Sequence, residues 1–174
     1  MMFRAEVALG TLLTVLPYIC LAGVPDETLA QAVRSGDQSA ARMLLADHAN
    51  PNRPLPDGST LLEWAVENQD REMVRLLLNR GAKTHGVGSP SSSPLIVACQ
   101  YGNPSILDML LTAHADVKTA GADGIAPLSL CAGSAPAEIL TRLIAAGADV
   151  EKADDQGQTP LMWAAAKGRI ENIR

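Results

Sequence analysis

Leu29, Leu62, Leu95, Leu128 and Leu161 stand 33 residues apart, with no insertion breaking the spacing. Three residues after each comes a small side chain: Ala32, Ala65, Ala98, Cys131 and Ala164. Seven residues after come Gly36, Gly102 and Gly168, with Gln69 and Ala135 in the same place in the second and fourth copies. Fifteen and sixteen residues after comes an apolar pair: Leu44 with Leu45, Leu77 with Leu78, Leu110 with Leu111, and Leu143 with Ile144. So many coincidences at one period mean a repeat array. Each copy is one supersecondary unit that buries its apolar face only against its neighbours, so stability is nearest-neighbour in form.

The residues inside a unit spell two helices. Thr60, Ser93 and Thr159 are suited to cap a first, short helix, because a side-chain oxygen accepts a free N–H of the first turn. Pro94 and Pro160 follow at the first helical position, where no N–H is missed. Thr60 and Glu63 have the spacing of a capping box. Asp37, Asp70 and Asn103 are placed to cap the second helix, and Pro104 again follows its cap. Met73, Val74 and Leu77, then Ile106, Leu107 and Leu110, give that helix an apolar face. Gly81 and Gly147 end it where a left-handed residue is needed. His48 and His114 hold the same place in other units, and His tolerates that conformation better than most side chains.

The run Thr159-Pro160-Leu161-Met162-Trp163-Ala164 and the run Gly147-Ala148-Asp149-Val150 resemble the ankyrin repeat. The resemblance implies an all-α solenoid of helix-turn-helix units joined by short β-turns. It covers 26–174, in units of roughly 26–54, 55–87, 88–120, 121–153 and an incomplete 154–174. The first unit is the most polar, as an N-terminal cap should be. The fourth departs at Gly133-Ser134-Ala135-Pro136, where an altered turn between helices is expected. The fifth stops as its second helix begins and has no polar capping unit. The expectation is a piece of a longer protein, or a frayed last half-unit.

The first 22 residues read differently. Arg4 opens a short positive region, Val7 to Ile19 is almost wholly apolar, and Cys20 to Gly23 offers small residues for cleavage. This is the pattern of a secretory signal peptide, so the expected location is periplasmic or secreted, as in exported bacterial-type proteins of this family. A membrane anchor is the alternative, since Val7 to Val24 is just long enough to span a bilayer. Membrane contact follows only if the segment is retained. Cys20 lacks the residues that precede a lipidated cysteine.

Composition and spacing argue against several chemistries. A net charge of −5 without a basic cluster makes nucleic acid an unexpected partner. Gly86-Val87-Gly88 follows no strand and precedes no Lys, so it is not a phosphate loop. His48 and His114 lie two units apart, about 20 Å at ordinary helix spacing, too far to share a metal. His85 falls in a turn. No metal, cofactor or catalytic residue is expected, and the chain is read as a monomer without enzymatic activity. Cys99 and Cys131 lie on neighbouring short helices. An exported protein permits a disulfide, but ordinary helix spacing would hold their Cα atoms beyond about 7 Å. Both are therefore expected to be small buried hydrophobes. Trp64 and Trp163 are assigned to the core between units.

What remains is a surface. The resemblance implies that turn tips and the exposed ends of the short helices form a concave groove. The repeat frame places Arg34, Glu67, Asn68, Gln100, Tyr101, Ser134 and Lys167 on the helix ends, and Asp57, Asp123 and Gln156 at the tips. Core positions agree between units while these vary, which fits a binding face for another protein carried on a scaffold. Tyr101, central and amphipathic, is the strongest candidate for a hot spot, and packing against Gly133 is its alternative. The expected function is protein–protein interaction. The rivals are a scaffolding or inhibitory segment of a larger enzyme, or a membrane-anchored adaptor.

Overall fold

The computed structural model describes residues 25–85 and 93–173. Residues 1–24, which carry the expected signal segment, and residues 86–92 lie outside the described residues. Nine α-helices stand among them: α1 Pro25–Ser35, α2 Gln38–Ala46, α3 Leu61–Glu67, α4 Arg71–Asn79, α5 Pro94–Tyr101, α6 Pro104–Thr112, α7 Pro127–Ser134, α8 Ala137–Ala145 and α9 Pro160–Ala166. The odd-numbered helices touch in succession, α1 to α3 to α5 to α7 to α9. The even-numbered ones form a parallel second row, α2 to α4 to α6 to α8. None of the described helices is long and apolar enough to cross a membrane.

Local chemistry sets the helix starts. The Thr60 hydroxyl accepts from the Glu63 amide at 3.2 Å, and the Glu63 carboxylate accepts from the Thr60 amide at 2.7 Å. This capping box is buried. Asp37, Asp70 and Asn103 cap α2, α4 and α6 through side-chain oxygens that accept from Ala40, Met73 and Ser105. Ser93 differs from expectation. It occupies the cap position of α5, but its hydroxyl makes no capping bond.

Helix ends follow the expected left-handed residues. His48 and His114 adopt φ of 65° and 57°. Gln69, in a glycine position, adopts φ of 55°. Its side chain compensates by donating to the Val66 carbonyl at 2.8 Å and accepting from Asn103 at 3.0 Å. The fourth unit has the altered turn: Ala135 is extended (φ −92°, ψ 162°) and Pro136 takes the cap position of α8.

The core is the recurring frame made solid. Leu29, Leu62, Leu95 and Leu128 are buried, as are Ala32, Ala65, Ala98, Cys131 and Ala164. Small residues at the seam let the short helices approach closely, and this overturns one expectation. Cys99 and Cys131 are joined by a disulfide, with Cα atoms 4.6 Å apart. The general helix spacing behind the expected separation does not hold where Ala and Gly line the contact. A Cβ at Gly102 would lie 2.5 Å from the Ser134 carbonyl oxygen, so α5 and α7 meet there without room for a side chain.

The last unit closes the array only in part. After α9 the chain makes a single 3-10 turn, Ile170–Asn172. Arg169 and Asn172 donate to the carbonyls of Ala132 and Ala135, capping the open end of α7. Leu161, equivalent to four buried leucines, is 55% exposed.

Candidate functional site

The frame places equivalent residues at the C-terminal ends of the odd-numbered helices, and stacking brings them into one row. Arg34 lies in the last turn of α1, Glu67 ends α3 with Asn68 as its cap, Gln100 and Tyr101 end α5, Ser134 ends α7, and Lys167 caps α9. Arg34, Glu67, Asn68, Gln100, Tyr101 and Lys167 are exposed. Tyr101 is 52% exposed at the middle of the row. At that exposure Tyr101 is not enclosed in the core. The space over Gly133 belongs to the Lys167 stem, whose Cγ would lie 2.9 Å from a Cβ there.

Ser134 is not a free polar group in this row. Its hydroxyl donates to the Cys99 carbonyl across the seam and lies 3.0 Å from the Leu130 carbonyl on its own helix. Half-buried, it ties α7 to α5.

The tip residues Asp57, Asp123 and Gln156 are all exposed, in turns preceding α3, α7 and α9. Asp57 accepts from the Ser59 hydroxyl and the Ser59 amide. Those bonds hold its carboxyl below the usual range, the hydroxyl contributing most, with the Arg34 charge a smaller addition. Asp123 sits in the left-handed region at φ 59°. Its carbonyl accepts from the Asp155 amide at 3.1 Å, so the fourth and fifth tips touch. Gln156 donates its amide to Asp154.

The two tryptophans are half-buried, and each is anchored to its own turn. Trp64 donates its indole N–H to the Ser59 hydroxyl at 2.7 Å, and Trp163 donates to Asp154 at 3.1 Å. The Gln158 amide, followed by that indole bond, lowers the pKa of Asp154. The Trp64 ring also carries the Arg34 guanidinium 4.0 Å above its centre, a cation–π contact that fixes the arginine's place in the row.

A cleft of about 340 Å³ opens beside Arg34, lined by Ala30, Arg53, Pro54, Leu55, Pro56 and Leu61. Sequence reasoning passed over this cleft and the Arg34–Trp64 stack. The stack had a signal in the frame, because Arg34 and Trp64 sit on adjoining short helices. The cleft had none, since it depends on how the turn before α3 folds back over α1. Among the described residues no three His, Cys, Asp or Glu side chains gather as a metal site.

The family model described as ankyrin repeats (3 copies) matches residues 19–87 and 95–174. No curated protein matches the chain.

Proposed function

Because the chain belongs to the ankyrin-repeat family, we propose that it is a noncatalytic module that holds another protein along the row of short-helix ends, the concave face of the array. Ankyrin repeats generally mediate protein–protein interaction and are typically non-enzymatic. Tyr101 is the observation that carries the choice of face. A large amphipathic ring stands half out of the surface, central in a row whose equivalent positions hold Ser35, Asn68, Ser134 and Lys167. Such a ring is a low-entropy anchor for a partner, and a few anchors of this kind dominate binding energy. Around it the row mixes Arg34 and Lys167 with Glu67 and the acidic tips, which suits a polar rim.

The test compares two faces. A photo-crosslinking residue is placed at Tyr101 and, separately, at Arg75 on the outer helix α4. A discrete cross-linked protein is expected from position 101 and none from position 75. Tyr101→Ala should then weaken binding of that protein about tenfold or more with helical circular dichroism unchanged. Equal labelling from both positions would remove the proposal, and lost helicity in the variant would make Tyr101 part of the core.

A further inference from the structure

We propose that Cys99 and Cys131 are oxidised to a disulfide in the working protein, that the chain therefore matures in an oxidising compartment, and that the bond clamps the centre of the array. The geometry comes from the seam. Within a unit, one short-helix position faces forward and the position before it faces back. By the repeat frame, the positions equivalent to Cys99 and Cys131 at the other seams are Val33 and Ala65, Val66 and Ala98, and Ala132 and Ala164. All eight side chains are buried. Only the third seam has sulfur on both sides, and there the Cα atoms are 4.6 Å apart, inside the range a disulfide needs. A metal or a nucleophilic role would need further ligands or a base, and among the described residues no third ligating group joins this pair.

Burial defines what the bond does. Both cysteines are fully enclosed in the stacked array, so a soluble reductant reaches them only when the seam opens. That describes a structural staple and not a fast switch. Formation is thiol–disulfide exchange with a donor disulfide, protein or small molecule, before the seam closes. One cysteine thiolate attacks the donor and expels a donor thiolate, giving a mixed disulfide. The second cysteine thiolate attacks the protein sulfur of that mixed disulfide and expels the other donor thiolate. The two cysteine protons pass to the donor, which leaves as two thiols, reduced by two electrons. Such bonds persist in secreted and periplasmic proteins and are rare in the cytosol of mesophiles. The apolar leader read from the sequence leads to the same compartment by a separate route. The staple also lies next to the proposed binding row, because the Ser134 hydroxyl bonds the Cys99 carbonyl beside it. The inference itself needs no partner.

The experiment begins with protein drawn from the cells that make it, quenched in acid and alkylated under denaturing conditions without reductant. A linked pair of peptides, lighter by two hydrogens and free of alkyl groups at both cysteines, is expected. Full alkylation of both would overturn the proposal. The clamp is read by thermal unfolding of the full chain with and without reductant. Reduction should lower the Tm by on the order of 10 °C. The Cys99→Ala/Cys131→Ala variant should show no response to reductant. It is expected to fold because the next seam already has buried alanines, Ala132 and Ala164, at the equivalent positions. A wild-type Tm that ignores reductant, with reduction verified by mass, would remove the clamp.

Discussion

At the scale of single residues, the strongest local devices are the caps, and they are also the most legible. Thr60 and Glu63 close a reciprocal pair of hydrogen bonds in a buried setting. Thr60→Ala removes one bond and leaves the Glu63 amide without its acceptor. We expect a loss of about 1–2 kcal/mol in denaturant unfolding. A change indistinguishable from zero would mean that the box is decorative. The turn carboxylates add a pH dependence. Asp154 is held below its ordinary 3.8 by the Gln158 amide first, which outweighs an opposing desolvation, and then by the Trp163 and Gln156 N–H groups. A carboxyl whose folded pKa is depressed binds fewer protons than its unfolded counterpart. Its contribution is complete above the ordinary value and is lost as pH falls through the depressed one. Asp57 and Asp116 act in the same direction, through Ser59 and Thr119 respectively. Asp154→Asn should therefore lower the Tm most at neutral pH, where the contribution is complete, and flatten the fall of Tm below pH 4, where the two proteins converge. An unchanged acid limb would assign the acid sensitivity to other groups. These caps were readable because they span three or four residues of one chain segment. Ser93 escaped the same logic because its hydroxyl geometry is not set by spacing.

At the scale of elements, the seams between short helices decide more than the helices themselves. Gly102 and Gly168 hold equivalent places with nearly equal φ, 66° and 65°. They differ in their neighbours. A Cβ at Gly102 would meet the Ser134 backbone at 2.5 Å, while nothing lies within 4 Å of one at Gly168. Gly168→Ala should cost about 1 kcal/mol from the left-handed backbone alone. Gly102→Ala should cost about 2 kcal/mol more, because α5 and α7 must separate. Equal losses in paired unfolding curves would show that the seam yields easily. The second row has its own links. Gln38 donates to Asp70 at 2.9 Å, and the side chains of Asn103 and Gln69 join at 3.0 Å, so each cap reaches the neighbouring unit. Arg142 bridges Asp108 and Thr112 between α8 and α6. An exposed pair of that kind adds little stability.

At the scale of the molecule, stability is distributed by how many neighbours a unit has. The third unit is packed on both sides and stapled to the fourth. In the fifth, Leu161 and Met162 are 55% and 56% exposed, and Ile173 is 44% exposed where Leu107 and Leu140 are buried. A solenoid with nearest-neighbour energetics opens first where its units bury the least apolar surface. Amide hydrogen exchange should therefore be faster by several orders of magnitude in α9 than in α5 and α7. Uniform protection along the chain would mean that this array opens only as a whole.

The unit, its register, its helix starts and most of its left-handed stops were determined by the sequence alone. Each rests on a periodic pattern or on groups a few residues apart. The altered fourth turn was legible for the same reason, since Pro136 displaces a cap within one short stretch. Only the tertiary structure decided that Cys99 meets Cys131, that Ser134 is spent on a seam, that Arg34 rests on Trp64, and that a cleft opens beside Arg34. Those outcomes depend on distances between groups about one unit apart in the chain. Such distances are set by the Ala and Gly contacts between helices, and a repeat frame assigns faces without assigning separations.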